Sequence, residues 1–216
     1  MADGRLAGPA RAQRRHARRV RTDVRALTLA LAAVAAGSGL ALAQEGSDSV
    51  SDGDDSRSRV DIAAARATHD LSNDRLAHVL RFHEPISPRN FRNAVAEHGP
   101  PGSVCINVWT GRTPWEASPN FDVCVTADRS RSRLLASVSR LGPRGGVRRV
   151  GGASAQLTSQ RRLVVRFDPD LIRRPAAYRW SAHVTTFERG CTPRGCQDFA
   201  PRRGRTVRTE LGAPSG

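Results

Sequence analysis

The chain has 216 residues and a formal net charge of +15, and all 35 of its basic residues are arginine. A basic surface can indicate a nucleic-acid partner, but such surfaces normally combine arginine with lysine. Because lysine is absent and Ala, Gly and Pro are abundant, the composition indicates the codon usage of a GC-rich genome, and we expect no nucleic-acid partner.

The first 43 residues have the three parts of a secretory signal peptide. Residues 26–43 are uncharged, and Ala41-Leu42-Ala43 places small residues directly before Gln44. The basic head that precedes them contains Arg14, Arg15, Arg18, Arg19, Arg21 and Arg25. We therefore predict a secreted or cell-surface protein, cleaved after residue 43 and not membrane-bound afterwards. The alternative is an uncleaved N-terminal anchor, because 18 residues are at the short end of what spans a bilayer.

Cleavage would leave 27 arginines against 18 acidic residues, a net charge of +9. Residues 44–59 contain a single apolar residue, Val50, so we predict a disordered, acidic and Ser-rich linker. Its aspartates lack the alternating spacing and the distal Glu of an EF-hand, so calcium is a possible ligand that no motif supports, and we predict no metal site. Residues 202–216 are rich in Arg, Gly and Pro and predict a flexible tail.

Residues 60–201 alternate apolar and polar side chains with a period of two, which is typical of strands with one buried face. This pattern predicts a single all-β domain, an antiparallel β-sandwich of the jelly-roll kind with eight or nine strands. The clearest strands lie near 76–82, 104–109, 121–126, 163–167 and 178–184, and weaker ones near 61–68, 133–139, 147–150 and 153–157. Only 88–98 has the pattern of a short helix or irregular loop.

Four cysteines in an exported domain predict two disulfides. Cys105 and Cys124 are each out of phase with the apolar residues of their own strand, so they lie on the same sheet face and can pair across a hairpin. Cys191 and Cys196 enclose Thr-Pro-Arg-Gly, which suits a tight turn. We predict the pairs Cys105–Cys124 and Cys191–Cys196. The alternative is a zinc site, which the absence of a Cys-x-x-Cys motif disfavours.

The sequence contains no nucleophile elbow, zinc-protease motif, phosphate-binding loop or dinucleotide fingerprint. We therefore expect a protein without catalytic residues or a cofactor. A metal site built from His69, His78 and His183 is the alternative, since a sheet can bring distant strands together. Asp168 and Asp170 flank Pro169 in a turn and are too close in sequence for a glycosidase pair.

The candidate binding residues are aromatic and polar. Trp109 is on the same face of its strand as Cys105, and Trp115 lies in the loop that follows. With Asn107 and Arg112 nearby, these rings can stack on sugars or anchor a peptide. The alternative is that Trp109 packs over the disulfide and Trp115 covers a sheet edge.

Several segments resemble a domain of exported proteins from GC-rich actinobacteria. They are VDIAAARATHDLSNDRLAHVLRF, VCINVWT, NFDVCVTAD, VVRFDPDLI and the pair YRWSAHV and CQDFAP. Their order over residues 60–201 is similar to that of carbohydrate-binding and DOMON-like β-sandwiches. The resemblance implies a sandwich in an extracellular setting. It implies no ligand, since Met1 is the only methionine and no haem-ligating Met/His pair can be matched.

Together these observations predict an exported, non-catalytic protein that binds a glycan or an anionic cell-envelope polymer. The first alternative is a structural or protein-interaction domain, and the second is a metal-dependent enzyme. An exposed face with Trp109 and Trp115 would favour glycan binding, and a His/Asp cluster around a pocket would favour a metal or catalysis. An arginine-lined face would favour a polyanion or a protein partner.

Overall fold

The computed structural model describes residues 48–56, 58–91, 102–111, 118–128, 130, 132–186, 191–192 and 195–212. The predicted signal peptide lies outside these residues, as do Arg112 and Trp115. The described part of the chain contains eleven β-strands and two short 3₁₀ turns. None of its helical segments has the length and apolar character needed to span a membrane.

Eleven strands follow one another along the described part of the chain. They are β1 (Asp48–Ser51), β2 (Ile62–Asp70), β3 (Arg75–Phe82), β4 (Ser103–Thr110), β5 (Phe121–Ala127), β6 (Leu134–Leu141), β7 (Val147–Ser159), β8 (Arg162–Phe167), β9 (Ala177–Thr186), β10 (Cys196–Ala200) and β11 (Val207–Glu210). The 3₁₀ turns are Pro88–Phe91 and Pro169–Ile172. The first of them lies in the segment 88–98 for which the sequence predicts a short helix or loop.

The strands form one continuous antiparallel sheet in the order β1-β2-β3-β8-β7-β6-β5-β4-β9-β10, with β11 also paired to β9. The long strand β7 joins the two halves, because its first part pairs with β6 and its last part with β8. The sheet curls until β2 contacts β10 and β1 contacts β11, which makes it nearly closed and barrel-like. The predicted all-β antiparallel class is confirmed. The structure has eleven strands where the sequence predicts eight or nine, in a continuous sheet where it predicts a sandwich.

Period-two alternation directs one face of nearly every strand into a shared core. In β3, Leu76, His78, Leu80 and Phe82 all point inward and are at most 3% exposed. The His78 ring meets the Trp180 ring edge-on at 4.9 Å, and its Nε2 lies 3.0 Å from the Tyr178 hydroxyl. Burial lowers the pKa of His78 to about 3, so the ring is neutral.

Three strands, β1, β10 and β11, lie where the sequence predicts none. β1 falls within the predicted linker and β11 within the predicted flexible tail. Both are short edge strands that gain order from backbone pairing, β1 with β2 and β11 with β9. Thr209 of β11 is fully buried and accepts a hydrogen bond from Trp180 Nε1 at 2.9 Å. These partners are distant in sequence, so local composition does not reveal them.

The two edges of the curled sheet meet along a line that we call the seam, formed by the β1–β2 connection (52–61), the first residue of β2 and the strand β10. Side chains connect the edges there. The Ile62 amide donates to Asp198 Oδ2 of β10 at 2.6 Å. The hydroxyls of Ser58 and Thr186 lie 2.7 Å apart, and both are buried. The seam is therefore closed by polar side chains rather than by a backbone ladder.

Both predicted disulfides are present. Cys105 and Cys124 are direct cross-strand partners in the β4–β5 pair, with Cα atoms 4.1 Å apart. Cys191 and Cys196 join the start of β10 to the turn before it. The described part of the chain has no free cysteine. Cys105 and Cys124 can pair across the two strands because both point to the same face of the sheet.

Candidate functional site

Of the two tryptophans predicted to bind a ligand, the structure describes Trp109 alone. Trp109 lies on the outer side of β4 but is only 8% exposed. Asn107 is half-buried and its amide nitrogen lies 3.2 Å from His183 Nδ1. The His183 ring in turn stacks on Phe199 at 5.8 Å. Stacking on a sugar requires an accessible ring face, which Trp109 does not offer, while Trp115 and Arg112 lie outside the described residues.

The three histidines proposed for a metal site have separate surroundings. His78 is in the core, and His183 contacts Asn107. His69 is 4% exposed and its Nε2 lies 3.0 Å from Asp74 Oδ1. Asp74 also accepts from the Arg174 guanidinium, which contacts Asp170 as well. His69 therefore belongs to an ion-pair network at the end of the β2–β3 hairpin.

A concave surface on the outer face of β1, β2, β3, β8 and the end of β7 has arginine as its most frequent lining residue. We call it the arginine groove; its volume is about 560 Å³. Its lining residues are Ser49, Ala64, Ala65, Arg66, Val79, Arg81, Ser159, Arg161 and Arg162. Four arginines, two serines and three small apolar residues make a surface that suits an anionic ligand.

Strand parity explains why these arginines face outward. Arg66 lies between the buried Ala65 and Ala67 of β2, and Arg81 lies between the buried Leu80 and Phe82 of β3. Arg162 begins β8 and Arg161 precedes it in the tight turn from β7. The core residues on either side fix the backbone, so the arginines are presented by a rigid sheet.

The sheet register places Arg81 directly opposite Arg162 in the antiparallel β3–β8 pair. Like charges directly opposite each other destabilise a sheet. No carboxylate lines the groove, and none of its four arginines forms an ion pair with an Asp or Glu of the described residues. By contrast, Arg75 on the same face pairs with Asp168 at 3.2 Å. The groove therefore carries uncompensated positive charge.

Sequence reasoning did not identify this groove. Its residues come from four segments that are separated by up to 113 positions, from Ser49 to Arg162. The sequence does show that Arg66 and Arg81 alternate with apolar residues and so point outward from their strands. Their convergence with Arg161 and Arg162 depends on the pairing of β3 with β8, which local patterns do not specify.

Acidic residues meet at the seam. Among the described residues, Asp52, Asp55 and Asp198 form the one group of three or more His, Cys, Asp or Glu side chains that could hold a metal ion. One oxygen from each carboxylate lies within 4.8 Å of the others. Burial is the main cause that raises the pKa of Asp52. It is also the main cause that raises the pKa of Asp198, to about 7.

Comparison with protein-family models, with curated proteins and with solved structures finds no match to this chain. The fold and the two surfaces described above therefore carry the functional argument by themselves.

Proposed function

We propose that this protein is an exported, non-catalytic binding protein for an anionic cell-envelope polymer, which it binds in the arginine groove. One observation carries the proposal: Arg81 and Arg162 lie directly opposite each other, with Arg66 and Arg161 lining the same groove and no carboxylate beside them. A bound anion would remove the repulsion between them. An opposed arginine pair also occurs at Arg140 and Arg148, so it is the concentration of four arginines in one concavity that distinguishes the groove.

Guanidinium groups suit phosphate and carboxylate groups because their planar fork can donate two parallel hydrogen bonds. Ser49 and Ser159 add hydroxyls to the same surface. A second concave surface of about 450 Å³ includes Arg89 and Gln160, and Gln160 directly precedes Arg161 of the groove. Two neighbouring basic concavities favour a chain with repeated charges over a single small anion.

Export is part of the proposal. It is supported by the signal-peptide pattern of residues 1–43 and by two disulfides, which persist in oxidising compartments. We also propose that the two halves of the curled sheet, joined by β7, act as the layers of the sandwich predicted from the sequence. The resemblance to carbohydrate-binding and DOMON-like domains agrees with an extracellular binding role.

The test is a binding titration of the purified full chain against long-chain polyphosphate and against polyglutamate, with neutral dextran as the comparison polymer. We expect binding to the two polyanions and none to dextran. The double substitution Arg81→Gln/Arg162→Gln should weaken binding roughly tenfold near 0.1 M salt. It should also lower the slope of log affinity against log salt by roughly 1.4–1.8, which corresponds to two lost charge contacts.

Arg140→Gln/Arg148→Gln is a matched control. Arg140 and Arg148 are also directly opposite each other, in the β6–β7 pair outside the groove, and their replacement removes the same charge. If both double variants weaken binding equally, net charge explains it and the groove does not. Binding to dextran that equals binding to the polyanions would instead support a neutral glycan. No binding to any of the three would favour the alternative of a structural or protein-interaction domain.

A further inference from the structure

The carboxylates at the seam come from two distant parts of the chain. Asp52 and Asp55 lie in the connection between β1 and β2, and Asp198 lies in β10. Asp198 is 4% exposed and is held by two backbone amides, Ile62 at 2.6 Å and Phe199 at 2.7 Å. No described Arg or His forms an ion pair with any of these three side chains, although the charge of Arg202 acts on Asp52 from farther away. Negative charge is therefore concentrated at the seam.

A fourth carboxylate, Asp61, supplies an independent observation. Asp61 is 1% exposed, and its Oδ2 accepts from the Ser56 amide at 2.8 Å. Its Oδ1 is buried without a hydrogen-bond partner. The Asp61 carboxylate is near enough to the cluster for its charge to act on Asp198, and the charges of Asp54 and Asp55 act on Asp61. A buried carboxylate oxygen without a partner is costly and is normally satisfied by a donor or a cation.

The spacing of the oxygens fits a bound cation. Two oxygens on opposite sides of a calcium ion, each 2.3–2.6 Å from it, are about 5 Å apart. The ligand oxygens of Asp52, Asp55 and Asp198 lie within 4.8 Å of one another, so they can surround one ion with little movement. The donor set is entirely oxygen, which suits a hard cation and not zinc, which prefers nitrogen and sulfur.

We propose that Asp52, Asp55 and Asp198 bind one calcium ion at the seam, with Asp61 contacting it directly or through a water molecule. The ion bridges residues 52–61, between β1 and β2, to the strand β10, and so holds the two edges of the sheet together. Calcium fits better than magnesium because it accepts several carboxylates in irregular geometry, whereas magnesium requires near-ideal octahedral geometry and keeps its waters. This site is separate from the arginine groove and does not depend on the proposed function.

The seam has one competing explanation. A proton shared between the Asp52 and Asp198 carboxyls could relieve part of the repulsion, since these two side chains lie within hydrogen-bonding range. His83 is close enough to Asp61 to lower the pKa of that carboxyl. A proton leaves the third carboxylate, Asp55, without a partner and connects only two of the three groups. Calcium, in contrast, contacts all three.

The test is thermal unfolding and calorimetric titration of the chelator-treated full chain at pH 8, with calcium chloride up to 10 mM and with magnesium or sodium chloride at matched ionic strength. We expect saturable calcium binding and a rise in Tm of about 5–10 °C when calcium exceeds its Kd a hundredfold. Magnesium should give a much smaller rise. Asp55→Asn should reduce the calcium affinity at least tenfold, and its exposed side chain makes the substitution compatible with folding.

Asp54→Asn is the matched control, because Asp54 is exposed in the same connection, carries the same charge and is not one of the three grouped residues. It should change the calcium affinity less than threefold. Equal losses in Asp54→Asn and Asp55→Asn would mean nonspecific attraction and would overturn the site. Stabilisation by acid with no response to calcium would identify the shared proton instead. Absence of any calcium response at 10 mM would also overturn the proposal.

Discussion

Two carboxylate-rich regions of this protein differ in how their charge is balanced. At the end of the β2–β3 hairpin, Asp74 lies between His69 and Arg174, with Arg174 Nη1 2.9 Å from Asp74 Oδ1. Hydrogen bonds from Arg174 and His69 lower the pKa of Asp74 to about 2. At the seam, burial and neighbouring negative charge act in the opposite direction on Asp198, whose pKa rises to about 7.

The difference shows that clustered aspartates do not by themselves indicate a ligand site. The hairpin carboxylates carry their own cationic partners and need nothing else, so their role is structural. The seam carboxylates form no ion pair among the described residues, although the charges of Arg202 and His83 act on Asp52 and Asp61. One oxygen of Asp61 is buried without a hydrogen bond. We therefore expect the seam, and not the hairpin, to respond to an added cation or to a proton.

The largest effect should come from Asp198→Ala. This substitution removes the acceptor of two backbone amides, those of Ile62 and Phe199, at a buried position. Leaving both amides without an acceptor should lower the free energy of unfolding by about 3 kcal/mol, measured by urea denaturation with a chelator present. Asp170→Ala in the exposed hairpin network should cost much less. Equal losses would mean that the seam is no more important to stability than the hairpin.

A pH series can separate the two regions. The pKa of Asp74 is lowered from its ordinary 3.8 to about 2, so its contribution to stability is lost mostly below pH 4 and only slightly above it. His78 does contribute, because its pKa is about 3 in the folded protein and near 6.5 in the unfolded chain. The unfolded chain binds the extra proton, so stability falls as the pH drops from 6.5 towards 3, by about 2 kcal/mol at pH 5.

His78→Gln should abolish this loss, and the readout is the difference in unfolding free energy between the two proteins from pH 7 to pH 4. The remaining slope combines contributions of both signs. Burial also lowers the pKa of His183, which weakens the fold on acidification, and Asp198 acts in the opposite direction. Its raised pKa means that the folded protein holds more protons than the unfolded chain between about pH 7 and pH 4, so stability rises on acidification. A difference between the proteins that is constant with pH would contradict a neutral buried His78.

The smallest effect on stability should come from Arg174→Gln. Near neutral pH we expect little change in Tm, since the network is largely exposed. The pKa of Asp74 should rise from about 2 towards its ordinary value because its main hydrogen-bond donor is lost. Carboxyl chemical shifts measured by NMR against pH would report it. Arg173→Gln, at the neighbouring exposed position, should leave the Asp74 pKa unchanged, and a similar rise in both variants would argue against the ion pair.

Much of the fold followed from alternation along single strands. The sequence predicts the inward-facing residues of β3, the β4–β5 hairpin and the Cys105–Cys124 pair. This is because the face to which a strand residue points, and the residues that form a turn, are local properties of the sequence. The segments predicted near 147–150 and 153–157 are one strand, β7, because the chain continues extended through Gly151 and Gly152. A side chain at Gly151 would lie 2.5 Å from Leu171 Cδ2, so glycine there reflects close packing.

The two proposed sites could not be predicted because each depends on pairing between distant segments. Asp52 and Asp55 were visible as part of an acidic segment, but Asp198 joins them only when the sheet curls and β10 meets the β1–β2 connection. In the same way, Arg81 and Arg162 become neighbours only through the register of β3 with β8. Neither the grouping of the aspartates nor the pairing of the arginines can be predicted from composition or from spacing along the chain.

The arginine groove also has a consequence for chemical labelling. A guanidinium group stays protonated throughout the pH range in which proteins are folded, so the groove has a fixed charge that alkaline conditions do not remove. Since the chain contains no lysine, acylating reagents directed at amines leave every basic side chain unmodified. Dicarbonyl reagents, which react with guanidinium groups, should therefore block polyanion binding where acylation does not.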